Sequence, residues 1–470
     1  MMRRITNTRA HDGRRAPLPL GLLAAAAALI AVAAAPAGGP PPSPPVAEAI
    51  RARVEGSGPA PALRAGETRH PSPWLGCFYE RRGFQPAWVG EEGPLPQAAE
   101  LAAAVAAAGG DGLRPADYHL AEIEERMAEA ATEPPAPEPI AELDLLLSDA
   151  FLSYASHLRA GRADPAALYR DCRSHPGQED LAAVLETALA AGMVRDALAL
   201  LAPPHAGYAR LRATLPALHE AVVAEGAGGA AERRLRQVEI NLERWRWLPR
   251  DLGRRHVVVD VAAFTVRAVE EGRTELATRA IVGRSYTKTP SFSSAVDRVV
   301  LNPSWHVPAG IAANEVLPRA HREPGYLRRE GFRVLPGGAV VQDPGPRNAL
   351  GRIKFVFPNP FTVYLHDTPA RSLFERDTRT FSHGCIRIAD PLELAVWALR
   401  GDRRWSRAAI EAAIAAGRER EVRLAEPIPI HLVYWTAWVD EQGTLELRDD
   451  VYGRDEPLLR LFAEGPEPRR

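Results

Sequence analysis

The residues best suited to chemistry stand in the segment FSHGCIRIADP at 381–391, where Cys385 directly follows a His-Gly pair. A second histidine, His366, precedes this segment in YLHDTP at 364–369. A thiol becomes a strong nucleophile once its proton is removed, and an imidazole can take that proton near neutral pH. These residue types in this order predict a cysteine nucleophile with a histidine base.

The residues around the thiol have types that support attack on a carbonyl. Gly384 lacks a Cβ atom, so the backbone there can turn sharply and present its amides to an oxyanion. Ser382 and His383 are placed to polarise or orient the imidazole, and Arg387 can hold a carboxylate or fix the loop. For the base to reach the thiol, the strand ending in YLHD must lie beside the strand that contains IRI.

Other interpretations of the same residues remain open at this stage. His366, His383 and Cys385 are ligand types that suit zinc. However, the sequence has no paired Cys-x-x-Cys or His-x-x-x-His to frame such a site. A buried structural cysteine with incidental histidines would also contain these residue types. A binding domain with an inactive site would need the motif to be broken, and the motif is intact.

Composition describes a soluble, globular, multidomain protein. A chain of 470 residues exceeds one ordinary core, so two or three domains are expected. Hydrophobic residues make up 46% and charged residues 25%, while the net charge of −1 gives no argument for nucleic-acid binding. Lys288 and Lys354 are the only lysines in the sequence, so arginine carries nearly all of the positive charge.

The amino terminus has the three parts of a secretory signal peptide. A basic stretch, MMRRITNTRAHDGRR, precedes the apolar run PLPLGLLAAAAALIAVAAAPA, and Ala35-Pro36-Ala37 offers a small-x-small cleavage site. Residues 1–37 are therefore predicted to direct export, either as a cleaved signal or as an uncleaved membrane anchor formed by residues 17–37.

Export would place the three cysteines in an oxidising compartment. Three is an odd number, so at least one thiol stays unpaired within the chain. Cys77 and Cys172 can bridge or can be two unrelated buried thiols. Cys385 is the cysteine expected to stay free, because an unpaired thiol in such a compartment is a liability unless it is used.

The predicted fold class is α+β, with a helical half followed by a strand-rich half. Leu and Ala recur at helical spacing through much of the first half, and short β-branched runs with Gly/Pro turns begin at about residue 253. The predicted segments are a signal or anchor at 1–37, a Pro-rich linker at 38–70, a helical scaffold at 71–232, a connecting helix at 233–252, a catalytic domain at 253–425, and carboxy-terminal strands and a tail at 426–470.

The second half is predicted to form a mostly antiparallel β-sandwich, with a barrel as the alternative. HVVVDVAAFTVRAV and ELATRAIVG read as two strands joined by a hairpin turn containing Gly272. The segment at about 308–352 has few strand signals, and its length is unusual unless it is functional. It is predicted to form a loop or helical cap over the thiol.

The ordered set of motifs resembles the L,D-transpeptidases, the cysteine enzymes that cross-link bacterial peptidoglycan. SHGCIR and YLHDTP resemble their active-site signature. Further segments resemble landmarks of the larger, periplasmic members and of their helical scaffold: RQVEINLERWRWLP, LNPSWHVP, DPGPRNALGRIKF, WLGCFYERRGFQPAW and GGDGLRPADYHL. The resemblance extends over nearly the whole of the predicted mature chain.

This resemblance implies an acyl transfer that needs neither a metal nor another cofactor. By position in the motifs, it implies Cys385 as the nucleophile, His366 as the general base, and the amides of Gly384 and Cys385 as the oxyanion hole. Other positions are implied to face the substrate: Tyr364, Trp305, His383, Arg387 and Asn348.

The implied partners are peptidoglycan peptide stems. The thiol would attack the carbonyl of the third residue of a tetrapeptide donor, which is meso-diaminopimelate in Gram-negative walls, and release D-alanine. The amine of a second stem would then form a 3→3 cross-link. A carbapenem is expected to acylate the same thiol, as in the family that this chain resembles.

In one respect the sequence departs from the large members. The segment VVAEGAGGAAERR joins the scaffold directly to the connecting helix, which leaves no room for a peptidoglycan-binding module there. Two further functions stay open: an L,D-carboxypeptidase-type hydrolase, in which water replaces the amine, and a non-catalytic wall-binding protein. The sequence leaves the oligomeric state undetermined.

Overall fold

The computed structural model describes residues 44–56, 71–90, 92–130, 136–174, 179–226 and 228–464. The predicted signal or anchor at residues 1–37 lies outside the described residues. Within the described part of the chain, no helix combines the length and apolar composition that a bilayer crossing requires.

The amino-terminal half is helical, because Ala- and Leu-rich segments with apolar residues on one face bury those faces against each other. A two-stranded ribbon of β1 (Val89–Gly90) and β2 (Gly93–Pro94) interrupts it, together with 3₁₀ turns at Ala107–Asp111 and Pro115–Tyr118. The helices are α1 Pro44–Val54, α2 Leu75–Arg81, α3 Pro96–Ala106, α4 Leu120–Ala130, α5 Pro137–Ala160, α6 Pro165–Leu168, α7 Leu181–Ala191, α8 Val194–Leu201, α9 Ala206–Arg212, α10 Leu215–Glu225 and α11 Ala230–Arg246.

The long helix α5 lies at the centre of this helical half. Pro137 stands in its first turn, and Gly161 follows its last residue with a φ of +84°. Its buried residues include Leu146 and Phe151, which belong to a core that runs from α1 to α8. Asp144 is fully buried and accepts hydrogen bonds from backbone amides of the segment before β1, so α5 also fixes that segment.

The predicted Pro-rich linker at 38–70 is wrong over part of its length. Residues 44–54 form α1, and Val46 and Ile50 are buried in the helical core. Pro44 and Pro45 stand at the start of this helix, where a missing amide hydrogen costs nothing. Residues 38–43 and 57–70 lie outside the described residues.

Helix α11 joins the two halves. Its apolar face is buried, because Leu235, Val238, Leu242 and Trp245 all lie in one core. The Trp245 ring stacks on the ring of Trp435 with centroids 4.2 Å apart. One shared core thus contains residues from the scaffold helices, from α11 and from the strand-rich half.

The strand-rich half contains a mixed nine-stranded sheet in the order β12-β5-β13-β11-β10-β6-β14-β3-β4. β5 also pairs with β4, so eight of these strands close into a ring. The strands of the sheet are β3 Arg255–Asp260, β4 Thr265–Glu270, β5 Arg273–Gly283, β6 Phe292–Leu301, β10 Ile353–Val356, β11 Leu365–His366, β12 Thr380–Ser382, β13 Ile386–Ile388 and β14 Arg420–Val433.

The expectation of an α+β chain with a mostly antiparallel sheet is confirmed. Three pairings within the sheet are parallel, namely β11 with β13, β5 with β12 and β3 with β14. The sheet closes because the long β5 changes partners along its length, pairing with β4 in its first part and with β13 at Ala280 and Ile281. The apolar inner side is filled by one core.

Two local predictions need correction. The run at 256–269, predicted as one strand, contains two strands separated by a turn in which Phe264 has a φ of +55°. The boundary predicted at residue 425 falls inside β14, which lies between β6 and β3. The last segment also contains helix α17 (Asp455–Glu464), which lies beyond the small ribbon of β15 Ala437–Val439 and β16 Leu445–Leu447.

The predicted cap has a small core of its own. A three-stranded sheet, ordered β7-β9-β8, packs with short helices around Val316, Tyr326 and Phe332. A π-helical turn covers 312–316. The other cap elements are β7 Trp305–His306, α12 Ala309–Ile311, α13 Leu317–Arg322, α14 Tyr326–Glu330, β8 Phe332–Val334 and β9 Val340–Gln342. Outside the cap, a 3₁₀ turn at Arg371–Glu375 precedes β12, and α15 (Pro391–Leu399) and α16 (Arg407–Ala415) follow β13.

Candidate active site

The parallel pair of β11 and β13 brings the predicted nucleophile and base to one face of the sheet. Leu365 pairs with Ile386, and both side chains are fully buried in the core. Because successive side chains of a strand point to opposite faces, the residues on either side of this pair point away from the core. They are Tyr364, His366, Cys385 and Arg387.

His366 is held as a neutral imidazole with a defined tautomer. Its Nδ1 lies 2.5 Å from the backbone carbonyl of Asp367 and therefore donates the ring proton to it. Burial, and next the positive charge of Arg387, lowers the pKa of His366 to about 3. The lone pair is thereby assigned to Nε2, the nitrogen that a general base needs.

Cys385 is also neutral at rest. Burial raises the pKa of its thiol, while hydrogen bonds from Tyr364 and the charge of Lys354 act in the opposite direction. Within the described residues, no hydrogen bond joins the thiol to His366. A preformed thiolate–imidazolium pair is thus disfavoured, and proton transfer must accompany the attack on substrate.

The turn before the thiol is shaped by Gly384, whose φ of +114° is one that side-chain-bearing residues rarely adopt. The Gly384 amide donates to the Ser382 hydroxyl at 3.1 Å, and that hydroxyl donates to the Cys385 carbonyl at 2.5 Å. The Gly384 amide is therefore occupied. The Cys385 amide has no hydrogen-bond acceptor among the described residues, which makes it the amide open to an oxyanion.

Two cations face the thiol. Arg387 is largely buried, and its Nε has no hydrogen-bond partner in the described part of the chain. Lys354 on β10 is paired with His366 across the sheet, and its Nζ lies 3.9 Å from the centroid of the Tyr364 ring. The sequence analysis missed Lys354, although its being one of only two lysines was a usable signal.

The cap reaches the site at two points. Burial raises the pKa of the Tyr364 hydroxyl, and the nearby Trp305 side chain acts in the opposite direction. His383 Nε2 lies 2.7 Å from a carboxylate oxygen of Glu315 in the π-helical turn, and 3.4 Å from Arg284 Nη1. His383 thus links the nucleophile turn to the cap, a contact that the sequence analysis did not foresee.

Asn348 is buried at the base of the cap. Its side chain is 1% exposed, and its amide nitrogen donates to the carbonyls of Pro303, Gln342 and Asp343 at 3.0–3.2 Å. Its side-chain oxygen accepts from the Leu350 amide at 2.8 Å. Because these bonds use the whole side chain, Asn348 fixes the base of the cap and offers no free group to a substrate.

The other cysteines lie outside this site. Cys77 is half-buried on α2 and Cys172 is buried, and each is a free thiol, so the bridge left open by the sequence is not formed in this structure. Within the described residues, no group of three or more His, Cys, Asp or Glu side chains is arranged to hold a metal ion.

Two family models match this chain. A Scaffold domain matches residues 73–215, and an L,D-transpeptidase catalytic domain matches residues 254–407. The second match contains the β11–β13 pair and the cap, and it ends before β14.

A curated relative also matches part of the chain. A Haemophilus influenzae (strain Rd) protein, provisionally named an L,D-transpeptidase, is 28% identical over 221 residues. The alignment covers 43% of this chain and 45% of the relative, so the chain matches just under half the length of that relative.

Solved structures of L,D-transpeptidases are also among the matches. One from Mycobacterium smegmatis is 16% identical, and the match covers 38% of this chain and 58% of that chain with a TM-score of 0.20. L,D-transpeptidase 3 from Mycobacterium tuberculosis, solved with a faropenem-derived adduct, is 14% identical, with 38% and 60% covered and a TM-score of 0.20.

Proposed function

We propose, from the membership of residues 254–407 in the L,D-transpeptidase catalytic domain family, that this protein forms 3→3 cross-links in peptidoglycan through a thioester on Cys385. The observation that carries the proposal is the common face of β11 and β13. It holds a thiol, a neutral imidazole and Arg387 beside an unoccupied backbone amide, and Lys354 lies next to it on β10.

In the first half-reaction, Cys385 Sγ attacks the carbonyl carbon of the third residue of a tetrapeptide donor. The thiol proton moves to His366 Nε2 as the S–C bond forms, and the carbonyl oxygen becomes an oxyanion facing the Cys385 amide. The peptide C–N bond then breaks, and His366 returns the proton to the leaving amine of D-alanine. The thioester and a neutral histidine remain.

In the second half-reaction, the side-chain amine of an acceptor stem attacks the thioester. His366 takes a proton from this amine, the C–S bond breaks, and the proton returns to the thiolate of Cys385. The products are the new amide and the enzyme in its starting protonation state. Arg387 and Lys354 supply positive charge beside the reacting centre and the carboxylates of the stems.

The test is incubation of the purified protein with disaccharide-tetrapeptides, followed by mass spectrometry of the products. Dimers with loss of D-alanine are expected. Tripeptides alone would identify an L,D-carboxypeptidase-type hydrolase, and unchanged tetrapeptides would leave a wall-binding role. Collapse of turnover on metal chelation would overturn the thiol mechanism.

Substitutions of the site residues test which of them carry out acylation. Cys385→Ala should abolish the thioester and also the adduct that a carbapenem forms. His366→Ala should slow acylation by about 10²-fold or more, the usual loss for a general base. His383→Ala is expected to be milder, since His383 contacts the cap residue Glu315. An adduct that persists in Cys385→Ala would exclude this residue as the nucleophile.

We further propose that the protein works in the periplasm. The support is the signal-like composition of residues 1–37 and the location of peptidoglycan outside the cytoplasm. Residues 1–43 fused to a reporter that is active only after export should give activity. A silent fusion that is nevertheless expressed would remove the assignment.

A further inference from the structure

The nucleophile turn, residues 382–385, is held from one side by the loop of residues 284–289, which follows β5. The Arg284 amide donates to the Ser382 carbonyl at 3.0 Å, and the Thr287 hydroxyl donates to the same oxygen at 3.1 Å. The Thr289 hydroxyl donates to the Gly384 carbonyl at 2.9 Å. The carbonyls on both sides of His383 are therefore bonded to this loop.

Thr289 is the central residue of this contact. It is fully buried, and its hydroxyl accepts from the Gly283 amide at 2.9 Å while donating to Gly384. A Cβ atom at Gly283 would lie 2.0 Å from the Thr287 carbonyl oxygen, so only glycine lets the loop fold back this closely. One hydroxyl thus joins the end of β5 to the nucleophile turn.

Tyr452, from the segment before α17, holds Thr289 from behind. Its hydroxyl donates to the Gly283 carbonyl at 2.6 Å and accepts from the Thr289 amide at 3.2 Å. Lys288 Nζ donates to the Tyr452 carbonyl at 2.6 Å, and the Tyr452 ring stacks on that of Tyr434. The tyrosine is buried and its hydrogen bonds leave it one orientation.

Arg454 continues the chain of contacts to the scaffold. Its guanidinium is buried, donates to the Thr289 carbonyl at 3.2 Å and to the Ser291 hydroxyl at 2.9 Å, and forms an ion pair with Asp171. The Ser291 amide donates to the Asp171 carbonyl at 2.9 Å. Asp171 follows α6 in the helical scaffold, so the contacts run from the scaffold to Gly384.

We propose that Thr289 is a positioning residue for Cys385, and that Tyr452, Arg454 and the scaffold residue Asp171 hold Thr289 in place. Tyr452 and Arg454 lie outside the matched catalytic domain, and Asp171 lies in the matched Scaffold domain. The scaffold therefore takes part in placing the nucleophile. The proposal is tested below by acylation and by thiol labelling, and only the acylation measurement rests on the proposed function.

The expected effect is on catalysis more than on folding. Thr289→Val removes two hydrogen bonds, those with Gly283 and Gly384, and a chain of this size should stay folded without them because each contributes only a small part of the total stability. Gly384 has no Cβ to restrict its backbone, so the turn depends on outside contacts for its orientation. A displacement of about 1 Å at a reacting group can cost about 10²-fold in rate.

The first experiment compares Thr289→Val, which loses the hydroxyl at nearly constant volume, with Thr289→Ser, which keeps it. Arg81→Gln is the control, because it breaks an exposed ion pair with Asp180 elsewhere in the scaffold. Acylation by tetrapeptide and thermal unfolding are measured for each. Thr289→Val should lower the acylation kcat by about tenfold or more with KM nearly unchanged, and Thr289→Ser and Arg81→Gln should stay near wild type.

The second experiment follows iodoacetamide labelling of Cys385 by peptide mass spectrometry, which does not depend on peptidoglycan activity. A displaced turn exposes the thiol, so labelling should be several-fold faster in Thr289→Val, Tyr452→Phe and Asp171→Ala than in wild type. If wild type is not acylated by tetrapeptide, the proposed function fails, and labelling alone decides the positioning role.

Three results would overturn the positioning role. One is a Thr289→Val enzyme with the wild-type acylation and labelling rates. Another is a Thr289→Ser enzyme as impaired as Thr289→Val. The last is a loss that disappears when rates are divided by the folded fraction. If Thr289→Val does not fold, Tyr452→Phe and Asp171→Ala carry the same comparison.

Discussion

In the proposed reaction, Cys385 and His366 enter as neutral groups, and this sets the expected pH dependence. The pKa of His366 is lowered to about 3 by burial and by Arg387, so its basic form is present above that pH and lost only as the pH falls through it. Acylation should therefore stay nearly level from pH 7 to about pH 5. Stopped-flow acylation by a carbapenem after a pH jump measures this, and a loss centred near the ordinary histidine pKa would contradict it.

The burial of Cys385 also predicts that its thiol reacts slowly with alkylating reagents at neutral pH. Because burial raises the pKa of Cys385, its labelling by iodoacetamide should rise only above the usual cysteine range. Cys77, half-buried on α2, provides an internal comparison in the same digest. Labelling of Cys385 that is already complete at pH 6 would show a preformed thiolate.

Lys354 is expected to tune the thiol through its charge. Its Nζ lies against the Tyr364 ring, and the other charged or titratable groups near it are Cys385, His366, Glu419 and Arg298. Lys354→Met keeps the length of the side chain and removes the charge. The thiol pKa should then rise, which lowers the fraction of thiolate at neutral pH.

The matched control is Lys354→Arg, which keeps a positive charge at this position. The pH dependence of Cys385 labelling should stay close to wild type in this variant and shift upwards in Lys354→Met. Equal shifts in both variants would mean that lysine acts through its shape, and no shift in either would remove Lys354 from the site.

At the scale of elements, the cap can be separated from the sheet. Val307 donates its amide to the Val340 carbonyl at 2.9 Å, so the two ends of the segment 309–339 are already adjacent. A short Gly/Ser linker should therefore replace this segment without unfolding the sheet, because closing a loop costs little extra when its ends are close. Turnover of peptide stems should fall, since donor positioning depends on closure.

A finer variant tests which cap contact matters. Glu315→Gln removes the charge facing His383, whereas Glu323→Gln changes an exposed ion pair of the same cap. Only Glu315→Gln should change the turnover of peptide stems. Wild-type turnover in the linker variant would show that the cap is dispensable, and equal effects of the two glutamine variants would remove the specific role of Glu315.

At the scale of the whole molecule, the matched catalytic domain is not a complete folding unit. It ends at residue 407, whereas β14 at Arg420–Val433 lies between β6 and β3 and completes the ring of strands. A fragment of residues 254–407 should lack cooperative thermal unfolding, because the edges of β6 and β3 are left unpaired. Calorimetry of this fragment beside the full chain measures this.

The control fragment is 254–464, which restores β14 and the segment with Tyr452 and Arg454. It should regain the sheet but lose the contact with Asp171, and it also exposes the surface that packs on α11. A cooperative transition in 254–407 would show that β14 is an addition to the sheet and not part of its core.

The sequence by itself determined the motif-level features of this protein. These features are local patterns, which can be recognised from the sequence without a tertiary structure. They are the residue types around Cys385, the helical period of α11, and the change to strand signals near residue 255. The placement of YLHD beside IRI was also expected, because a base must reach its thiol. Two features were not expected from the sequence. Helix α1 forms because it packs into the helical core, and the run at 256–269 is divided into two strands by a turn at Phe264.

Only the tertiary structure decided which distant groups lie around the thiol and its turn. Lys354 and Glu315 reach the site through strand pairing and cap folding. Thr289 contacts the nucleophile turn through loop packing, and Asp171 is connected to Thr289 through Arg454. The same packing turned Asn348 inward to the base of the cap. Sequence spacing carries no information on such contacts, because burial and hydrogen bonding are settled only when the sheet closes and the scaffold packs against it.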